Sequence, residues 1–288
     1  LCTSSFGCSP NSTQNGVFGA GPNQTLWSFP TPQVDFSGIS ADFTALKTKA
    51  QASGLYFARY SSVSSNNSSY WRGSHLIFNS NDTVTVRRVS SMTALTVTVL
   101  NPTDSTTDRT VISAESNLGT YNIPSDCGLI YVEDNIWVEG TIPSKVTVVA
   151  ANVVDTGVSP NAMLPNNLVY ESSSAGLTLI AENNVLVTGN SPNNMTLNGV
   201  FIAQGGAFGR NYYGCPSSYE PRTTLTILGT TVSNKRTGTK WMNGCPGGNA
   251  AGYQTRIDAY DRNLATDPPP FTPILSTDFE FVDWRDNE

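Results

Sequence analysis

Gly128-Leu-Ile-Tyr-Val-Glu-Asp-Asn-Ile-Trp-Val-Glu-Gly140 returns later in the chain as Gly176-Leu-Thr-Leu-Ile-Ala-Glu-Asn-Asn-Val-Leu-Val-Thr-Gly189, its leading glycine 48 residues on. The match runs past the second glycine. Pro143-Ser-Lys-Val-Thr-Val-Val-Ala-Ala-Asn-Val-Val154 is answered, with small slips, by Pro192-Asn-Asn-Met-Thr-Leu-Asn-Gly-Val-Phe-Ile-Ala203. A repeat of short β-rich runs separated by Asn and Gly corners predicts stacked coils, a parallel β-solenoid. One coil cannot bury its own apolar face, so the array is the folding unit.

The strand reading rests on residue type and period. Ile136-Trp137-Val138, Val146-Thr147-Val148-Val149, Leu177-Thr178-Leu179-Ile180 and Val185-Leu186-Val187 are short, β-branched or aromatic, and bounded by turn residues. Buried helices need longer runs at 3.6-residue spacing, which this stretch lacks. Asn135, Asn152, Asn183 and Asn184 fall where the chain must change direction. Asparagine suits such corners because it tolerates the left-handed region and bonds its own backbone.

Composition fits an extracellular, mainly β protein. Of 288 residues only 13% are charged, and Ser, Thr, Asn and Gly carry the solubility. A net charge of −6 argues against a nucleic-acid partner, which needs a basic stripe. The adjacent basic pairs, Arg87-Arg88 and Lys235-Arg236, read as ordinary solvated residues. The chain opens at Leu1-Cys2-Thr3 without methionine or a long apolar run. This reads as a mature or truncated product, with any membrane anchor in an upstream segment.

Five cysteines give an odd count. Cys2 and Cys8 are close enough to close a small loop. Cys215 and Cys245 share a Gly-Cys-Pro context around a Gly-, Tyr- and Pro-rich excursion and are the expected partners. That bond closes a loop of roughly 30 residues and contributes about 3 kcal/mol on the chain-entropy model. Cys127 is left over, either buried and inert or paired with Cys2 or Cys8. No spacing matches a metal knuckle or redox motif, and no metal or other cofactor is expected. Disulfides point to an oxidising compartment outside the cytoplasm.

Outside the repeat, residues 1–33 form an irregular polar lead. Residues 34–120 read as a small α+β unit with one helix, Ser40–Ser53. Ser40 is its cap, Phe43, Leu46 and Ala50 its apolar face, and Gly54 its stop. Leu55–Phe57, His75–Phe78, Thr83–Val89 and Leu95–Leu100 alternate as strands, and Ser61–Ser69 is a low-complexity loop. The solenoid is expected over 121–260, with the disulfide-closed loop at 210–245. Residues 261–288 read as an extended tail: Pro268-Pro-Pro270 offers no ladder donors, and Phe271, Phe279, Phe281 and Trp284 pack it against the coils.

Several stretches together resemble a known family. They are Pro32-Gln-Val-Asp-Phe36 with Asp42, Leu46-Lys47, Ala50 and Gly54-Leu-Tyr-Phe57; Asp82-Thr-Val-Thr-Val-Arg-Arg-Val89; Ala175–Ala181; Leu197–Gly209; Tyr260-Asp-Arg-Asn-Leu264; Pro268–Phe271; and Trp284-Arg-Asp286. In this order, over roughly residues 30–288, they resemble the C-terminal regions of bacterial type IV pilus-associated proteins, the large minor pilins and PilX-like pilus-assembly proteins. The resemblance implies a solenoid on a pilin-like core and a structural or adhesive, non-enzymatic role at the bacterial cell surface. The implied partners are other pilin subunits or surface proteins. The apolar pilin helix itself is absent from this sequence, so filament assembly follows from the resemblance alone.

The alternative class is a secreted carbohydrate-binding or carbohydrate-cleaving β-helix. Its candidates are the sole histidine, His75, and the carboxylates Glu133, Asp134 and Glu139. A carboxylate pair suits glycoside hydrolysis. However, Asn183 replaces Asp134 in the repeat and Thr188 replaces Glu139, while Glu133 aligns with Glu182. That stacked pair repels unless an ion or a turn amide satisfies it. His75 lies well before the repeat and reads as a half-buried structural residue, so no catalytic residue is assigned. The expected partner surface is the excursion, where Tyr212, Tyr213, Tyr219 and Trp241 suit proteins or glycans. Asn-x-Ser/Thr sequons begin at Asn11, Asn23, Asn66, Asn67, Asn81 and Asn194, as expected in so Asn-rich a chain.

Overall fold

The computed structural model describes residues 41–60, 72–98, 105–155 and 157–273. Cys2, Cys8, Ser40, the 61–69 loop, Phe279, Phe281 and Trp284 lie outside the described residues, as do the sequons at Asn11, Asn23, Asn66 and Asn67. The described chain is mainly β. Helix α1 (Phe43–Ser53) is followed by β1 (Leu55–Phe57), β2 (Gly73–Asn79), β3 (Thr83–Thr98) and β4 (Ser105–Asn122). Then come β5 (Leu129–Val132), β6 (Asn135–Ile142), β7 (Lys145–Ala150), β8 (Ala162–Leu164), β9 (Leu168–Tyr170), β10 (Gly176–Ala181) and β11 (Val185–Val187). The last elements are β12 (Asn194–Ala203), β13 (Phe208–Gly209), β14 (Arg222–Ser233), β15 (Lys240–Trp241), β16 (Ala251–Ala259) and α2 (Arg262–Thr266).

Most strands pair in parallel, in three ladders. The first runs β1, β5, β7, β10 and the second half of β12, continued by the end of β14. The second runs β2, the start of β6, β8, β11 and β13. The third runs the end of β6, β9, the first half of β12, β14 and β16. From β5 onward the chain visits the ladders in that order and then returns to the first.

Alternation along each strand sends one set of side chains inward. Ile130, Val148, Leu179 and Phe201 come from the first ladder, Ile136, Ala162, Val185 and Phe208 from the second, and Ile142, Leu168, Leu197 and Leu225 from the third. All belong to one buried cluster. Where a strand turns from one ladder to the next, glycine is required. Gly199 and Gly229 are in register with positive φ, and a Cβ on Gly229 would lie 2.0 Å from the Gly199 carbonyl oxygen.

The two quoted stretches are second neighbours. β7 separates β5 from β10, and β8 separates β6 from β11. Leu129 stands in line with Thr147 and Thr178. The second half of the repeat is offset further: Thr147 leads through Thr178 to Val200, not to Thr196 as sequence matching has it. The difference arises because β12 spans two ladders in one strand, with no corner loop between them.

The outward faces are covered by other elements. α1 lays Leu46 and Ala50 over Leu129, Tyr131, Val149, Ile180 and Ile202 of the first ladder. Its cap is Asp42, whose Oδ1 accepts from Ala45 N–H at 3.0 Å. Cys127 is buried under the same face as a free thiol. α2 and the tail lie along β7 and β10: Thr147 Oγ1 donates to the Pro270 carbonyl, and Thr178 Oγ1 meets Thr272 Oγ1 at 2.7 Å. Phe271, expected to pack, is exposed.

The second ladder is covered by the β3–β4 hairpin, where Val89 and Met92 enclose Trp137 and Met163. The strand expected at Thr83–Val89 and the described part of the one at Leu95–Leu100, Leu95 to Thr98, belong to this single strand β3. The polar stretch between them is absorbed by register shifts at Val89/Ser91 and Ser91/Met92 rather than by a turn. The boundary expected near residue 120 does not separate two units either. β1 and β2 pair directly with β5 and β6, and residues from Ser40 onward cluster as one compact unit.

At the entry to the second ladder, asparagines stack. Asn135 Oδ1 accepts from Asn161 N–H at 2.8 Å and from its Nδ2 at 3.1 Å. Asn161 Oδ1 accepts in turn from Asn184 N–H at 3.2 Å and Nδ2 at 2.9 Å, and Asn184 Oδ1 from Ala207 N–H at 2.9 Å. Asn135 and Asn184 are thus corner residues as expected, and Asn161 is the missing middle rung. Asn152 instead folds the next loop, with Oδ1 accepting from Val154 and Asp155 N–H, both at 2.9 Å. Replacing Asn161 with Ala strips the acceptor from two Asn184 donors at a buried position. The expected loss is about 1–3 kcal/mol in equilibrium urea unfolding, with an unchanged m-value.

Candidate functional site

The hairpin that covers Trp137 also forms a cleft at its edge. Inward alternation of Leu76 and Phe78 on β2 and of Ile136 and Val138 on β6 leaves His75 and Glu139 facing out. β2 and β6 are paired, with His75 opposite Trp137 and Ile77 opposite Glu139. β4 brings Glu115 across from above. His75 Nδ1 lies 2.8 Å from Glu115 Oε2, and Nε2 lies 3.1 Å from Glu139 Oε1. The second contact is within ion-pair range but off the N–H axis, so Nε2 has no aligned hydrogen-bond partner. Arg87 on β3 binds the other oxygen of Glu115 at 2.5 Å.

These groups open into a cleft of about 400 Å³ lined by His75, Glu115, Glu139, Ile112, Asn166 and Asn190, with Pro165 and Pro192. His75, expected far from the carboxylates, sits between two of them. The reason is topological: β2 enters the second ladder beside β6 although 60 residues separate His75 from Asn135 in the chain.

Burial opposes charge on the imidazole. The nearby carboxylates of Glu139 and Glu115 outweigh that and raise its pKa above 6.5. The imidazole of His75 beside it holds Glu139 below its ordinary value of 4.5 against the effect of burial. Burial also raises Glu115, but Arg87 and His75 bring it below 4.5.

The linkage has a definite sign. The histidine's contribution is fully present below pH 6.5 and is lost as pH rises through its higher folded value. The carboxylates' contributions are present above 4.5 and are lost as pH falls through their lower folded values. Asp134, raised by burial to about 6, adds its own loss as pH rises from 3.8. The difference between wild type and His75→Gln cancels that term. Urea unfolding across pH 4 to 9 is expected to show this difference greatest between about 4.5 and 6.5 and shrinking above.

The other carboxylates in the repeat have protein partners. Glu133 binds Lys47 Nζ and accepts from Tyr56 OH at 2.6 Å; burial and Glu133 together push that phenol up to about 12. Asp134 Oδ2 accepts from Tyr60 N–H at 2.7 Å. Glu182 accepts from Asn152 N–H at 2.7 Å and Ser159 Oγ at 3.1 Å. Glu133 and Glu182 are therefore not a stacked pair. Asn152, in the segment between them, supplies the turn amide that satisfies Glu182.

The excursion is closed by the Cys215–Cys245 disulfide and built on buried charge. Arg210 is fully buried. It pairs with Glu220, donates to the carbonyls of Gly189 at 3.1 Å and Tyr219 at 2.6 Å, and lies 4.7 Å from the Tyr213 ring centroid. Glu220 Oε2 accepts from Gly252 N–H at 2.5 Å. A second buried carboxylate, Asp108 of β4, accepts from Asn211 Nδ2 at 2.8 Å and Tyr213 OH at 3.0 Å.

Tyr213 is thus an internal anchor, and burial raises its phenol well above 10. Tyr219 packs on Tyr213 at 5.7 Å. Tyr212 and Trp241 pair at 5.9 Å and remain half-buried, with Tyr212 OH donating to the Gly244 carbonyl at 2.7 Å. The four expected loop aromatics are brought together in two pairs, of which Tyr212 and Trp241 keep an accessible face. Sequence reasoning missed Glu115, Arg87, Asp108 and Glu220. Glu115, Asp108 and Glu220 sit in polar runs with no periodic signal, and Arg87, on an alternating strand, reads from sequence as an ordinary solvated residue.

Among the described residues no group of three or more His, Cys, Asp or Glu is arranged to hold a metal ion, and no helix is long and apolar enough to cross a membrane. Comparison with known protein families, with curated proteins and with solved structures yields no match to this chain.

Proposed function

We propose that the three parallel ladders are the sides of a β-solenoid, and that this chain is an extracellular structural or adhesive component of a type IV pilus-like bacterial surface filament. On this reading the coils are a stiff shaft and the 210–245 excursion is the presented partner-binding surface. The carrying observation is the way that excursion is held. A buried Arg210–Glu220 pair, a disulfide and the Asp108 network tie it to the stack, leaving Tyr212 and Trp241 on a pre-organised rim. Pre-organisation of that kind favours binding because little loop entropy is lost on contact. Among the described residues, the resembling stretches Ala175–Ala181, Leu197–Gly209, Tyr260–Leu264 and Pro268–Phe271 fall on β10, β12 with β13, α2 and the tail.

The test is immunogold labelling of cells producing the full gene product. Label along filaments or at their tips is expected. Label only on freely secreted protein overturns the reading. A second reading, a carbohydrate-binding or carbohydrate-cleaving β-helix, is favoured by one observation, the cleft beside Glu139.

A further inference from the structure

We infer that the His75–Glu115–Glu139 cleft binds a neutral sugar ring within a longer glycan; the inference rests on the carbohydrate reading. The cleft is concave, of a size within the range of small-molecule sites, about 300–1,000 Å³. Its charges are already balanced internally. His75 and Arg87 face Glu115 and Glu139, and Asn166 also bonds Glu139. A cation therefore finds its carboxylates occupied, and an anion meets two of them.

What remains is hydrogen-bonding capacity without net charge. An ionised carboxylate has about four acceptor positions, more than His75, Arg87 and Asn166 fill on Glu115 and Glu139. His75 is nine-tenths buried and lies in the cleft wall, its Nε2 enclosed beside Glu139 and without an aligned acceptor. A hydroxyl entering the cleft can donate to the partly exposed carboxylate of Glu139, next to the His75 ring. Ile112, Pro165 and Pro192 supply an apolar surface for the C–H face of a pyranose, and Asn166 and Asn190 stand exposed at the rim to meet a neighbouring ring.

The chain has one histidine, so its imidazole gives a single set of resonances. The labelled protein is titrated with chitotriose, maltotriose and cellotriose, and with a galacturonate trimer as the charged comparison. A saturable shift of the His75 ring by at least one neutral trimer is expected. Glu139→Gln and the rim variant Asn190→Ala should each weaken it about tenfold. Asn190 is exposed and gives up only the bond it accepts from Thr188 Oγ1, so urea unfolding of that variant is expected to show the fold kept even if Glu139→Gln loosens the hairpin. Saturable binding that moves the Trp241 indole and leaves His75 unmoved overturns the cleft assignment while the carbohydrate reading stands. No binding by any trimer overturns both. Tighter binding of the galacturonate trimer overturns the neutral specificity.

Discussion

Glu220→Ala is expected to destabilise the protein by about 3–5 kcal/mol, because it leaves the Arg210 guanidinium buried without a counter-charge. Both side chains are fully buried. The same change also removes the acceptor from Gly252 N–H at the start of β16. The damage should therefore spread beyond the excursion to the last strand of the third ladder. Urea unfolding gives the magnitude, and hydrogen exchange at Gly252 and Tyr253 gives the location. The double variant Arg210→Met with Glu220→Leu is the informative companion. A buried pair replaced as a unit by apolar groups often has nearly neutral effect. Recovery of most of the loss identifies the unpaired charge as its cause. If Glu220→Ala alone were close to neutral, water would have to reach Arg210, and the pre-organised excursion would lose its main support.

Trp137→Ala should cost a similar amount, about 3–5 kcal/mol, through a cavity under the hairpin. Trp137 is fully buried, yet it faces away from the inner core, toward Val89, Met92 and Met163. Its indole N–H donates to the Thr110 carbonyl at 2.6 Å, so it ties β4 to the second ladder by shape and by hydrogen bond. Trp137→Phe separates the two contributions: most of the packing is kept, and a loss of only about 1–2 kcal/mol is expected. Differential scanning calorimetry of both variants reads the effect. Equal losses from Phe and Ala would assign the role to the hydrogen bond rather than to the packed ring.

Trp137 also shows where sequence reading stops. The run Ile136-Trp137-Val138 is legible as a strand, and its match to Val185-Leu186-Val187 places it in a stack. Alternation even tells that Trp137 faces opposite to its neighbours. It does not tell that this opposite face is buried, because the covering strands lie far away in sequence and look like ordinary polar hairpin. The same limit hid the cleft. His75 and Glu139 were both singled out from sequence, but the bond between β2 and β6 that joins them depends on long-range register. The asparagine ladder failed more mildly. Two of its rungs were read from the repeat, while Asn161 was not, because its coil between the two matched stretches lacks their pattern.

Local chemistry was enough to determine the strand segments of the quoted repeat, several of its corners, the helix α1 and the pairing of Cys215 with Cys245. Short β-branched runs, Asn and Gly corners, a helical apolar face and a repeated Gly-Cys-Pro context are all written in neighbouring residues. Only the tertiary structure decided which strands are adjacent, which outward faces are covered, and which charges are buried. Those are properties of contacts that local pattern does not specify, from the Arg210–Glu220 pair 10 positions apart to the Asp108–Asn211 pair 103 apart. The energy of a buried arginine or a bracketed histidine depends on partners that sequence spacing does not name.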